Sequence, residues 1–183
     1  MIYHSLTEIY ERKSSSLLKI QHCSMGLTDA QAAFHPASGG WSVAEIVEHV
    51  CIVEAQLIQL IASLLTKTEE AGKTRSAAAP FEISVQAAYE KSRTEKYKTR
   101  DNYVPSGKKT IIESLEILQD YEGQLESFEP RLQSVDFAFA SFPHASFGPL
   151  NLGQWLAFIT LHEERHCAQI ESVMASPGFP AGR

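Results

Sequence analysis

Three helix-start signals partition this chain of 183 residues more firmly than any other feature. Ser42-Val43-Ala44-Glu45 and Thr110-Ile111-Ile112-Glu113 are capping boxes. In each, the hydroxyl accepts from an orphan backbone N–H of the first turn while the glutamate reaches back to the cap's own N–H. Asn151-Leu152-Gly153-Gln154 reads as a third N-terminal cap. Each signal opens a run in which apolar residues recur every three or four positions, the spacing that gathers them on one face of a helix. No strand-like alternation separates these runs, so the chain must bury helical stripes against one another.

Four long helices are predicted. The first spans about residues 6–21, with Leu6, Ile9, Tyr10, Leu17 and Ile20 as its stripe. Gly26 ends it, and Thr28 caps a short turn through Ala33 before Pro36 and Gly39-Gly40. The second runs from Ser42 to about residue 65, followed by a polar linker over 66–80. A shorter helix is predicted over 84–96, with Val85, Ala88 and Tyr89 on one side, and 97–109 is rich in turn residues. The third long helix runs from Thr110 to about Leu132 unless Pro130 ends it early. Residues 135–149 read as an irregular aromatic loop. The fourth long helix runs from Asn151 to about Met174, where Pro177-Gly178 stops it, and the tail 179–183 is predicted to be mobile. Long helices joined by loops imply an all-α four-helix bundle, with residues 1–183 as one domain.

Composition narrows the function classes. A net charge of −6 without a Lys/Arg cluster argues against a nucleic-acid partner, and Lys108-Lys109 is an isolated, solvated pair. Cys23, Cys51 and Cys167 show no CxxC spacing, which predicts reduced thiols and a cytoplasmic protein. The first residues, Met1 to Ser5, carry no basic, signal-like segment. Residues 52–65 are strongly apolar, but Glu54, Gln56 and Gln59 interrupt them. That run falls short of the roughly 20 apolar residues a bilayer requires, so a buried helix is expected and no membrane partner.

The chemistry resides in three histidines. His162 and His166 lie four residues apart, hence on one helical face with Trp155, Phe158, Ile159, Gln169 and Val173. His49 lies on a face of the second helix with Glu45, Ile52, Val53 and Gln56. Both faces are otherwise apolar, and a buried imidazole must find a partner. A single such histidine is explained by a hydrogen bond in the core; three on packed helices can converge on one divalent metal. Three protein ligands leave a coordination position open, the pattern of a catalytic site. Glu45 is accounted for by its capping box, and Gln56 and Gln169 by packing or by support of the histidines.

His162-Glu163-Glu164-Arg165-His166 also matches the zincin motif, in which the first glutamate is a general base. That motif needs a third ligand downstream. The one carboxylate after His166 is Glu171, on the wrong side of the same rigid helix, and Gln169 and Ser172 occupy the positions a metzincin gives to Gly and His. A peptidase is therefore rejected and the third ligand is sought upstream, at His49. Glu163 is expected to be solvated or to support the site, and is the candidate catalytic acid–base group beside a metal-bound water. Cys51 and Cys167 point off the histidine face and read as small buried hydrophobes.

The segments Trp41-Ser42-Val43-Ala44-Glu45-Ile46-Val47-Glu48-His49 and, from Phe147 to Ile170, FGPLNLGQWLAFITLHEERHCAQI resemble the DinB/YfiT-like superfamily, in order and spacing across nearly the whole chain. The resemblance implies an up-down-down-up four-helix bundle. It implies that His49, His162 and His166 bind one divalent metal, nickel or zinc, and that the chain forms a homodimer. It further implies a small-molecule substrate and a low-molecular-weight thiol as cosubstrate, the metal activating the bound thiol for transfer to an electrophile. Two alternatives stay open: hydrolysis by a metal-bound hydroxide with Glu163 as base, and a non-catalytic metal-binding bundle. Phe142, His144 and Phe147 are candidates to line the pocket, His144 also as a fourth ligand. Imidazole ligands alone do not choose among Zn, Ni, Cu and Fe.

Overall fold

The computed structural model describes residues 1–76, 80–94 and 99–181, and it is mainly helical. In chain order the helices are α1 (Leu6–Ser24), the single turn α2 (Asp29–Ala32), α3 (Val43–Glu70), α4 (Gln86–Thr94), α5 (Ile111–Leu132) and α6 (Leu152–Met174). All the predicted caps form. Ser42 and Glu45 bond reciprocally at the start of α3, Thr110 and Glu113 at α5, and Asn151 and Gln154 at α6. Thr28 and Gln31 make a further capping box on α2.

The four long helices pack side by side: α1 lies against α6 and α5, and α3 against α5 and α6. Their stripes meet in two apolar clusters, one including Ile9, Ile61, Leu65, Leu125 and Ile159 and the other Leu17, Ile20, Ile46, Leu118 and Ile170. By length and composition α3 is the one described helix that could cross a bilayer. In the fold its apolar residues, Ile46, Val47, Val50, Ile58 and Ile61 among them, pack into the interior beside Glu48, His49 and Glu54. That is the place of a core helix.

Several boundaries differ from the sequence expectation. α3 continues five residues past residue 65, because Lys67, Glu69 and Glu70 are good helix formers facing solvent after the apolar run ends. Pro130 does not stop α5, which ends at Leu132. Strands are present after all. β1 (Ile2–Tyr3) pairs antiparallel with β2 (Ile83–Ser84), and the aromatic loop contains a hairpin of β3 (Ser141–His144) and β4 (Gly148–Asn151). The tail is docked as far as Pro180: Phe179 packs edge-on against Phe34 at 5.4 Å, and Gln31 Nε2 donates to the Pro180 carbonyl at 3.1 Å. The predicted end of the 84–96 helix falls outside the described residues.

Gly153, in the first turn of α6, lies close against Ile83 of β2 and Phe137. A Cβ there would lie 2.6 Å from Ile83 Cδ1 and 3.3 Å from Phe137 Cβ. Ile83 Cδ1 can turn away, but Phe137 Cβ is fixed by its backbone. Alanine in a helix interior gains about 1 kcal/mol over glycine, whereas overpacking a closed core costs about 1–3 kcal/mol. Gly153→Ala is expected to lower stability by roughly 1 kcal/mol net, read as a lower denaturant midpoint; a raised midpoint would show that the contact relaxes freely.

Candidate metal centre

His49 stands on the second turn of α3, and His162 and His166 lie four residues apart in the middle of α6. Packing of α3 against α6 brings the three rings together. Ring centroids are 5.3 Å apart for His49 and His162, 4.8 Å for His49 and His166, and 4.4 Å for His162 and His166. One ligand atom from each lies within 4.8 Å of the others. His49 and His166 are buried, and His162 is partly exposed as a residue. The three histidines expected as ligands are thus gathered on the helices the sequence placed them on.

Hydrogen bonds orient two of the rings. His49 Nδ1 lies 2.7 Å from the Tyr103 carbonyl. A carbonyl only accepts, so Nδ1 carries the proton and Nε2 presents its lone pair. His166 Nδ1 lies 2.9 Å from Gln169 Oε1 on the same helix, which places its lone pair at Nε2 as well. Such partners fix tautomer and ring plane in metal-ligating histidines. The indole of Trp41 covers His49 at 4.6 Å between centroids.

The donor set fits a divalent metal. His166 Nε2 and His162 Nε2 lie 3.2 Å apart. Two lone pairs so close repel, so either His162 donates a proton to His166 or a cation lies between them. Bonds of about 2.1 Å at a tetrahedral metal separate neighbouring nitrogens by about 3.4 Å. The rings are also held neutral. Burial, then the neighbouring His166 and His49, push His162 well below the ordinary histidine value. Burial, then His49, push His166 down to about 3. Burial lowers His49, partly opposed by the Tyr103 carbonyl. Neutral imidazole is the form that ligates metal.

Glu163 is placed elsewhere. It is 0% exposed and faces α1 and α3 on a different side of α6 from the rings. Lys13 Nζ lies 3.0 Å from Glu163 Oε1 and 3.1 Å from Glu54 Oε1, and the Ser16 hydroxyl donates to Glu163 Oε2. Its carboxylate is not among the donors gathered with the histidines, and it is not solvated. Burial and then the charge of Glu54 raise Glu163 to about 8, so the group carries one lysine against two carboxyls that do not both ionise at neutral pH.

The flanking residues divide into two groups. His144 stacks on Phe147 at 4.4 Å and lies 5.0 Å from Phe158, which is 6.4 Å from His162. His144 therefore reaches the centre only across Phe158 and is not among the gathered donors. Its Nδ1 accepts the Ser146 N–H at 3.0 Å, and burial lowers it to about 4, so it is a neutral ring with its proton on Nε2. The Phe142 side chain is half exposed, while its carbonyl accepts Trp155 Nε1–H at 3.1 Å. Gln56 is exposed and apart, whereas Gln169 supports His166. Cys51 and Cys167 are buried and burial pushes both thiols to about 12, so they are inert packing residues. Sequence reasoning missed Tyr103, whose contribution is a backbone carbonyl, and the trio Lys13, Ser16 and Glu54.

Comparison with known proteins agrees with the geometry. The profile of the DinB superfamily matches residues 22–170, a span that includes all three histidines. Among curated proteins, the chain is 22% identical over 148 residues to the uncharacterized protein YuaE of Bacillus subtilis (strain 168), covering 81% of this chain and 86% of that protein.

The buried carboxyls give a pH signature. The buried Glu54–Glu163 pair keeps one proton to about pH 8 in the fold, whereas in an unfolded chain a glutamate loses it at about 4.3. Folding therefore takes up a proton between those values. The stability this group contributes is complete below the unfolded value and is lost as pH rises through about 8. Glu163→Gln removes that dependence while leaving an acceptor for Ser16. In chelator-treated protein, urea midpoints are expected to fall more steeply from about pH 5 to about pH 9 in the wild type than in Glu163→Gln. Parallel curves would show that the carboxyl ionises freely in the fold.

Proposed function

The chain belongs to the DinB superfamily, and on that premise we propose that it is a metal-dependent transferase that joins a low-molecular-weight thiol to a small electrophile. The observation that carries this reading is the convergence of three neutral imidazoles, with no carboxylate among the gathered donors. Three uncharged ligands leave the full double charge of the ion on the site. A cation of that strength lowers the pKa of a bound thiol or water and makes it a nucleophile at neutral pH. Nickel or zinc suits the donor set.

The chain's own residues divide the remaining work. His49, His162 and His166 would hold the ion, with Tyr103 and Gln169 setting the planes of the first and third. Phe158, His144 and Phe147 form an aromatic wall beside His162, and the Nε2–H of neutral His144 is a donor suited to an acceptor atom on the electrophile. The transferase reading is favoured over hydrolysis because Glu163 is engaged by Lys13 and Ser16 and is not positioned to accept a proton from a metal-bound water.

The rest of the family pattern belongs to the same proposal: an up-down-down-up order of the long helices, a small-molecule partner, neither nucleic acid nor membrane, and a homodimer. Exposed Leu18 on α1, Met25 just past its end and Ile112 on α5 offer apolar surface for a second copy. Sedimentation velocity decides that point: Leu18→Glu should shift a dimer toward monomer, and a wild type sedimenting as monomer would remove the dimer from the reading.

The experiment that tests the function is elemental analysis of untagged protein, followed by titration of the cobalt-loaded form with cysteine or glutathione. The expected result is about one metal per chain, lost in His49→Ala and in His162→Ala, and a thiolate-to-cobalt charge-transfer band that rises with added thiol. Metal without a thiol-dependent band would turn the assignment to hydrolysis. No metal even after reconstitution with zinc or nickel would overturn the enzyme reading.

A further inference from the structure

We propose that Glu48 is a positioning residue for the metal centre, gripping residues 101–107 so that the Tyr103 carbonyl holds His49 with Nδ1 protonated and Nε2 free to ligate. The proposal rests on the three-histidine reading above. Glu48 precedes His49 on α3, so its side chain leaves the helix about 100° away from the imidazole and does not itself aim at the ion. It is 2% exposed. Both of its oxygens are used on one short piece of chain: Oε1 accepts the Ser106 hydroxyl at 2.6 Å and Oε2 accepts the Gly107 N–H at 2.8 Å. Gly107 has φ +70, in the left-handed region, where glycine turns the chain toward α5 without strain.

Little freedom remains between that grip and Tyr103. Asp101–Tyr103 is a turn of 3-10 helix. Val104 is extended, with φ −71 and ψ 127, as a residue before proline must be. Pro105 is buried, and its ring fixes its own φ. From Tyr103 to Gly107 the backbone is therefore set by the turn, by proline and by two hydrogen bonds to Glu48. The carbonyl at its head meets His49 Nδ1 at 2.7 Å. Two consecutive residues of α3 thus grasp the same strap, one by its carboxylate and one by its ring. The arrangement explains why a carboxylate is buried there: removing it from water is costly unless its hydrogen bonds are met, and the donors that meet them belong to the segment that orients the ligand.

The test separates this role from general structural support. Metal-free protein with nitrogen-15-labelled histidine is compared as wild type, Glu48→Gln and Glu48→Ala by long-range proton–nitrogen correlation. The wild type should show His49 as the Nδ1–H form. Glu48→Gln should retain it, because the amide oxygen can accept from Gly107 while the amide nitrogen donates to Ser106. Glu48→Ala should convert His49 to a mixture of tautomers while His166, oriented by Gln169, is unchanged. Zinc affinity by chelator competition should fall about 10–100-fold in Glu48→Ala and stay close to wild type in Glu48→Gln.

An unchanged His49 in Glu48→Ala would overturn the proposal, and so would His49 and His166 shifting together. If Glu48→Ala does not fold, Ser106→Ala removes one anchor at an exposed residue and should give a smaller shift in the same direction; no shift would overturn the proposal. A wild type without zinc affinity but with the tautomer pattern above would sink the metal reading and leave the positioning of His49 standing.

Discussion

The first half of α6, from Leu152 to Leu161, is buried on almost every side, and Glu163 and His166 beyond it are buried too; most of what is unusual in this structure follows from that burial. A buried polar side chain there has no water to hydrogen-bond and needs a partner inside the fold. His162 and His166 find each other and Gln169, on the side shared with α3. Glu163, the next residue after His162, points about 100° away and finds Lys13 and Ser16 of α1 with Glu54 of α3 beyond. One helix therefore carries two polar groups on two faces, and its rotation is fixed from both. Turning α6 by one residue would drive the Glu163 carboxyl into the histidine face and an imidazole against the lysine, leaving buried polar groups without their partners on both.

The Lys13–Glu54–Glu163 group gains its meaning from this geometry. Buried ion pairs are weak sources of stability, because desolvation offsets much of their attraction, yet removing one partner costs about 3–5 kcal/mol. Such a group penalises wrong packings more than it stabilises the right one. Here it joins α1 to the backs of both histidine-bearing helices, five residues beyond His49 on α3 and one beyond His162 on α6. The apolar contacts between α3 and α6 could tolerate a small slide; two carboxyls sharing one ammonium cannot.

Much of this was legible in the sequence for local reasons. The caps were readable because Ser42, Thr110 and Asn151 bond to residues three positions away, and the histidine faces because helical spacing needs no tertiary knowledge. Glu163 was misplaced because a glutamate is assigned to solvent by default. The contrary signal was present: Lys13 falls between Ile9 and Leu17 at stripe spacing on α1, and Glu54 interrupts the apolar run of α3. A lysine and a glutamate on separate core stripes are a pair waiting for a fold. The hairpin was missed because each strand is four residues long, too few for alternation to register, and strand pairing is a non-local property. Tyr103 could not have been read at all, since a backbone carbonyl carries no signature in residue type.

The electrostatics of the two polar groups also differ in kind, and the difference bears on what the site can accept. The group around Lys13 is self-neutralising: one ammonium, one carboxylate and a carboxyl that keeps its proton, so little field reaches the rings from behind. The histidine cluster is uncharged at neutral pH, because burial lowers all three rings. A metal entering it displaces few protons, so its affinity depends only weakly on pH above the range in which the rings protonate. Nor does it meet a compensating anion among the gathered donors. Its charge would be left to whatever takes the fourth position. If the centre holds a divalent ion as proposed, its uncharged donors would favour an anionic ligand at the remaining position over a neutral one.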